Sequence, residues 1–167
     1  ILNHIRDGKP TQEDLALLNK RCKPFFIPRP EEGYIRLTTH NNMADSYNEN
    51  ELRKLSGRSI TFTAEVKGEF PPQNYPAEER LTLKAGAQVM FIKNDPSGRH
   101  LYYNGRIGHI TSISNDEISV RCAGDDEDIK VEPQEWENTR YVLNPTTKVI
   151  ESQVQGVFRQ YPLRLAW

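Results

Sequence analysis

The chain has 167 residues, a net charge of −1 and a mean hydropathy of −0.73. Residues 1–83 carry 12 basic and 12 acidic side chains and residues 84–167 carry 10 and 11, so neither half is the basic block of a strongly cationic nucleic-acid binder. Periodic apolar runs exclude a disordered chain, and no stretch of about 18 apolar residues or basic-then-apolar leader marks a membrane span or a secretory signal.

Residues 1–8 read as the tail of a helix closed by Gly8. Thr11 then reads as an N-cap, with Gln12, Glu13 and Asp14 in the first turn and Leu15 and Leu18 as a buried stripe. Pro24, Pro28 and Pro30 predict an extended connection over residues 23–33. Residues 34–38 read as a strand, 39–42 as a polar turn and 43–55 as a helix stopped by Gly57. Residues 60–66 alternate as a half-buried strand should, which gives this part an α/β character. A proline-bearing loop occupies 68–80. Beyond it, short β-rich runs at 81–84, 87–93, 101–103, 106–113, 118–122, 129–131, 141–143 and 148–158 alternate with turn signals. That spacing predicts a small antiparallel barrel.

Catalytic signatures are missing. The sequence has no GxxxxGK[ST] phosphate-cradling loop and no GxGxxG, GxSxG or HExxH. His4, His40, His100 and His109 are scattered without a Cys or His partner at ligand spacing, and the acidic run from Asp125 to Asp128 lacks the spaced ligands of a calcium loop. No metal, no cofactor and no catalytic residue are therefore expected in this chain. Cys22 and Cys122 read as two reduced thiols, which points to a cytoplasmic protein without a membrane partner. The sequence opens inside an amphipathic run (Ile1, Leu2, Ile5) and closes on Leu163-Arg164-Leu165-Ala166-Trp167, so both ends are expected to lie inside a larger protein.

Four segments in series carry a resemblance. Leu83-Lys84-Ala85-Gly86-Ala87-Gln88-Val89-Met90-Phe91-Ile92-Lys93-Asn94-Asp95 is followed by Asn104-Gly105-Arg106-Ile107-Gly108, by Pro133 and Trp136, and by Gln160-Tyr161-Pro162-Leu163-Arg164-Leu165-Ala166-Trp167. Upstream stand Thr39, His40 and Asn41, then Asn48 and Leu52. This order resembles superfamily 1B DNA helicases of the petite-integration-frequency branch, related to RecD. His40 departs from the family pattern, which more often has Thr there. The resemblance implies a partial second RecA-like α/β domain at 1–80, an inserted SH3-like barrel at 81–161 and a return strand at 162–167. It also implies a parent that hydrolyses ATP with Mg²⁺ while moving 5′ to 3′ on single-stranded DNA. Its phosphate-binding loop and Walker B acid would lie upstream, and its other helicase domains would be partners of this one. The rival reading is a free-standing small β-barrel that binds a peptide or nucleic acid.

The resemblance puts Thr38, Thr39, His40 and Asn41 on a loop facing single-stranded DNA, where a helix N-terminus favours a phosphate. Asn41 could instead simply cap that helix. Lys93 and Arg106 could touch a nucleic-acid backbone or a neighbouring domain. Asn104-Gly105 is first a type I′ turn signal. Trp136 and Tyr141 could stack on bases or pack within the protein.

Overall fold

A computed structural model of the chain describes residues 1–27, 29, 32–143, 145 and 148–167. It divides into two compact units, Ile1–Pro30 and Glu31–Trp167. Pro28 and Pro30 of the expected extended connection lie outside the described residues.

In the first unit, α1 (Leu2–Arg6) ends at Gly8, which takes a positive φ of 68°. Thr11 opens α2 (Gln12–Asn19) with a reciprocal capping box: its hydroxyl accepts from the Asp14 N–H, and the Asp14 carboxylate accepts from the Thr11 N–H. The same carboxylate sits 2.8 Å from His4 Nδ1 and ties α1 to α2. These bonds hold Asp14 well below the usual carboxylate range, the Thr11 N–H contributing most. The expected stripe buries only in part: Leu18 is half-buried and Leu15 exposed, and the buried residue of α2 is Asp14.

The second unit begins with extended backbone. Residues 34–38 alternate like a strand, yet among the described residues they join no ladder; a backbone bond runs from the Arg36 N–H to the Trp167 carbonyl. Alternation alone cannot make a strand without a neighbour to receive the other peptide groups. α3 (Asn41–Lys54) follows, with Asn48 and Leu52 buried. Its last turn is closed by Lys84, whose ammonium donates to the Leu55 carbonyl at 2.8 Å.

The predicted strand at 60–66 is two strands, β1 (Ile60–Thr63) and β2 (Glu65–Gly68). The chain changes sheets at Ala64, because β1 pairs with β3 (Arg80–Leu83) while β2 joins the long hairpin described below. Next come β4 (Gln88–Phe91), β5 (Ile107–Ile113), β6 (Ile118–Cys122) and β7 (Ile129–Val131). With β10 (Leu163–Leu165) they form an antiparallel sheet in the order β10-β4-β5-β6-β7. β8 (Gln134–Leu143) and β9 (Ile150–Gln160) make a hairpin that β2 extends to three strands. β8 was legible only at its end, since Glu135, Glu137, Asn138 and Arg140 mask the strand pattern. Residues 101–103 form no strand.

Hydrogen bonding therefore gives three antiparallel sheets, and no closed barrel is found among the described residues. β10 and β7 are the outer strands of the five-stranded sheet, so its ladder stays open. The main core fills with Leu81, Leu83, Val89, Phe91, Ile118 and Val120, none with any exposure. A smaller aromatic group, Phe70, Tyr75, Trp136 and Phe158, packs under the hairpin. Gly108 is required where β5 approaches β6, because a Cβ there would stand 2.5 Å from Val120 and 2.9 Å from the Arg121 carbonyl.

Candidate nucleic-acid interface

The residues at 38–41 form the entry to α3. His40 is the N-cap in extended conformation, and among the described residues no side chain caps the first turn. Asn41 is thus the first helical residue and does not cap, which corrects that expectation. The Thr38 hydroxyl donates to the His40 carbonyl at 3.0 Å, and the Thr39 hydroxyl lies 2.9 Å from His40 Nδ1. These short bonds hold the loop; the Met43 N–H turns back to the His40 carbonyl at 3.2 Å, and among the described residues no side chain takes the amides of Asn41 and Asn42.

Thr38 and Asn41 line a cleft of about 220 Å³ between α3, the 34–38 segment and β10. Two arginines that sequence reasoning did not select line it as well. The Arg36 guanidinium lies over the Tyr47 ring at 4.1 Å from its centroid, and Arg164 reaches Asp45 at 3.3 Å. A sequence signal existed for both: each is the polar position within an apolar alternation, Ile35-Arg36-Leu37 and Leu163-Arg164-Leu165. Acids temper the charge. Asp45, Glu49 and Glu78 line an adjoining cleft with Arg164, and lost hydration pushes the Glu78 carboxyl above its ordinary value despite the nearby guanidinium.

The other two predicted cations do not line this cleft. Lys93 donates to the Glu135 carbonyl at 2.5 Å and lies 4.9 Å from the centre of the Trp136 ring. Arg106 donates to the Leu101 carbonyl and pairs with Asp125 at 2.5 Å, with one fifth of its side chain exposed. Both cations are therefore held by the protein itself. The Asn104-Gly105 turn closes with the Arg106 N–H on the Tyr103 carbonyl, and Gly105 has the expected positive φ, at 93°. Asn104 does not share it, so the turn has the type II pattern and not type I′. Trp136 packs edge-on against Phe158, while Tyr141 is exposed on the hairpin.

No family model matches the chain. Among curated proteins, the ATP-dependent DNA helicase Pif1 of Bdellovibrio bacteriovorus is 30% identical over 126 residues, and that of a Psychrobacter strain is 36% identical over 102. A Bacteroides Pif1 solved with ADP-AlF4 matches 99% of this chain at 31% identity, with a TM-score of 0.85. The chain belongs to the Pif1 helicases. It spans 28% of the Bdellovibrio Pif1 and 37% of the Bacteroides chain. The Bacteroides Pif1 solved bound to single-stranded DNA matches at 30% identity with a TM-score of 0.71, against 0.84 for its unliganded structure. Among the described residues no helix is long and apolar enough to cross a membrane.

Proposed function

We propose that this chain supplies one wall of the single-stranded DNA track of a Pif1-type helicase, with the 38–41 loop, Arg36 and Arg164 facing the phosphates. The observation that carries the reading is the uncapped start of a 14-residue helix in a cleft shared with two arginines. Its relation to a helicase solved with single-stranded DNA supports the same assignment. Residues 1–80 would be part of the second RecA-like domain, 81–161 an SH3-like insertion and 162–167 the return to the first of these. ATP, Mg²⁺ and 5′-to-3′ movement would belong to the parent. The phosphate-binding loop and magnesium acid would come from its other domains, which would complete the track.

Amide chemical-shift mapping with oligo-dT tests the assignment. Shifts are expected at residues 38–41 and at Arg36 and Arg164, with affinity no better than roughly 10⁻⁴–10⁻⁶ M at physiological salt. Perturbation confined to the surroundings of Arg106 and Trp136 would move the DNA site to the β-rich part.

A further inference from the structure

The 165–167 stretch does more than return the chain to its first part: its peptide groups gather bonds from three separate elements. Asn48, on α3 two turns beyond Asn41, is 7% exposed. Its Nδ2 donates to the Leu165 carbonyl at 3.0 Å, and its Oδ1 accepts from the Trp167 N–H at 3.0 Å. Gln88, on β4, is 1% exposed. Its Nε2 donates to the Ala166 carbonyl at 2.5 Å and to the Tyr34 carbonyl at 2.9 Å, while its own backbone carbonyl accepts from the Ala166 N–H. The Arg36 N–H closes the set on the Trp167 carbonyl at 2.9 Å.

The two side-chain amides grip opposite flanks of one loop. Gln88 and the Arg36 bond hold the segment that enters residues 38–41, and Asn48 holds the helix that leaves them. Both flanks are fixed to the same three residues, and those residues continue β10, which pairs with β4 in the five-stranded sheet. Among the described residues the side-chain bonds of the loop itself are short-range. We infer that Asn48 and Gln88 are positioning residues: they seat the 38–41 loop on the 165–167 stretch and so fix its place relative to Arg164 and the sheet. An amide suits this work because one side chain both donates and accepts, with no charge to desolvate. The inference rests on the proposed DNA contact for its functional meaning, and the seat itself can be tested without DNA.

Gln160 provides the internal control. It too is a buried amide, 3% exposed, and bridges the Phe62 and Glu79 carbonyls to the Tyr161 N–H without touching the loop or its flanks. Asn48→Asp, Gln88→Glu and Gln160→Glu each replace a donor that faces a carbonyl with an acceptor. All three should lower the melting temperature. Only N48D and Q88E should move the amide shifts of residues 38–41 and speed their hydrogen exchange. The same two should weaken oligo-dT binding by about tenfold, the factor that roughly 1.4 kcal/mol represents. Should either fail to fold, Asn48→Ser and Gln88→Met remove the same donors with neutral side chains and carry the same readout. Loop amides that move no more in the Asn48 and Gln88 variants than in Q160E would overturn the seat. Loop amides that move, in a protein whose wild type shows no oligo-dT shifts at 38–41, would uphold the seat and overturn the DNA contact.

Discussion

Around the Asn104-Gly105 turn, charged side chains are bonded to the protein by several groups at once; at the entry to α3, among the described residues, the helix start has no side-chain cap. Arg106 is tied to Leu101 and Asp125, Lys93 to Glu135 and Trp136, and Asp95 accepts from the Ser97 and Leu101 N–H groups. That network sits over the stacked rings of Phe91 and Tyr102, 4.2 Å apart, and serves to order a loop. At α3 the first turn has no side-chain cap, and Arg36 and Arg164 stand at the rim of a cleft. Ring packing and a single carboxylate hold them in position without consuming all of their donors. A cation in a sequence motif marks a ligand contact only when the fold leaves its hydrogen bonds unspent.

The largest effect expected from this contrast is on stability at the turn. Arg106→Ala removes a half-buried pair and leaves the Leu101 carbonyl and Asp125 without their donor. It should cost about 1.5–3 kcal/mol in urea denaturation, the range for hydrogen bonds to charged groups. Oligo-dT binding of the folded variant should not change. A stable variant with weakened DNA binding would reverse the roles of the two regions.

Gly105→Val comes next. The turn holds Gly105 at a φ of 93°, and a Cβ added there would meet nothing within 4 Å, so the penalty is conformational and not a clash. About 1 kcal/mol or somewhat more should be lost in thermal denaturation. An unchanged melting temperature would mean that the turn relaxes and that the region is less rigid than its network suggests.

This part of the molecule was the more legible in sequence. Asn-Gly and the alternation of β4 to β6 are local signals, set by a residue and its near neighbours, as is the Thr11 cap in the first unit. The positive φ at Gly105 needed no knowledge of the fold. The α3 region was harder because its determinants are long-range. Asn48 looks like an ordinary polar helix residue until the backbone of residues 165 and 167 arrives beside it. Gln88 stands in a strand pattern that gives no hint of a bond to the Tyr34 carbonyl. Residues 34–38 had the alternation of a strand, but pairing depends on which element lies alongside, and here the Arg36 N–H meets the Trp167 carbonyl without a ladder forming among the described residues. Arg36 and Arg164 were visible as polar positions in apolar runs; what could not be read was that both end in one cleft. The expected antiparallel strands formed; whether they wrap into a barrel was not legible, since local periodicity shows strands without showing whether the first and last of them meet.

The smallest effect sharpens the contrast most. Arg164→Ala removes one guanidinium from the cleft and breaks an exposed pair with Asp45, so stability should change by less than about 1 kcal/mol. Its signature lies in salt dependence. If Arg164 neutralises one phosphate, its loss should make the plot of log affinity against log salt shallower by roughly 0.7 for a single strand. At about 0.1 M salt that counterion term corresponds to an affinity loss of up to roughly fivefold. The loss is limited because Asp45, Glu49 and Glu78 lie on the same side and lower the potential that a phosphate meets. Arg106→Ala, measured the same way, should leave the slope where it was, because that guanidinium is already neutralised by Asp125. Equal slopes for wild type and Arg164→Ala, with a shallower slope for Arg106→Ala, would show that the turn and not the cleft meets the phosphates.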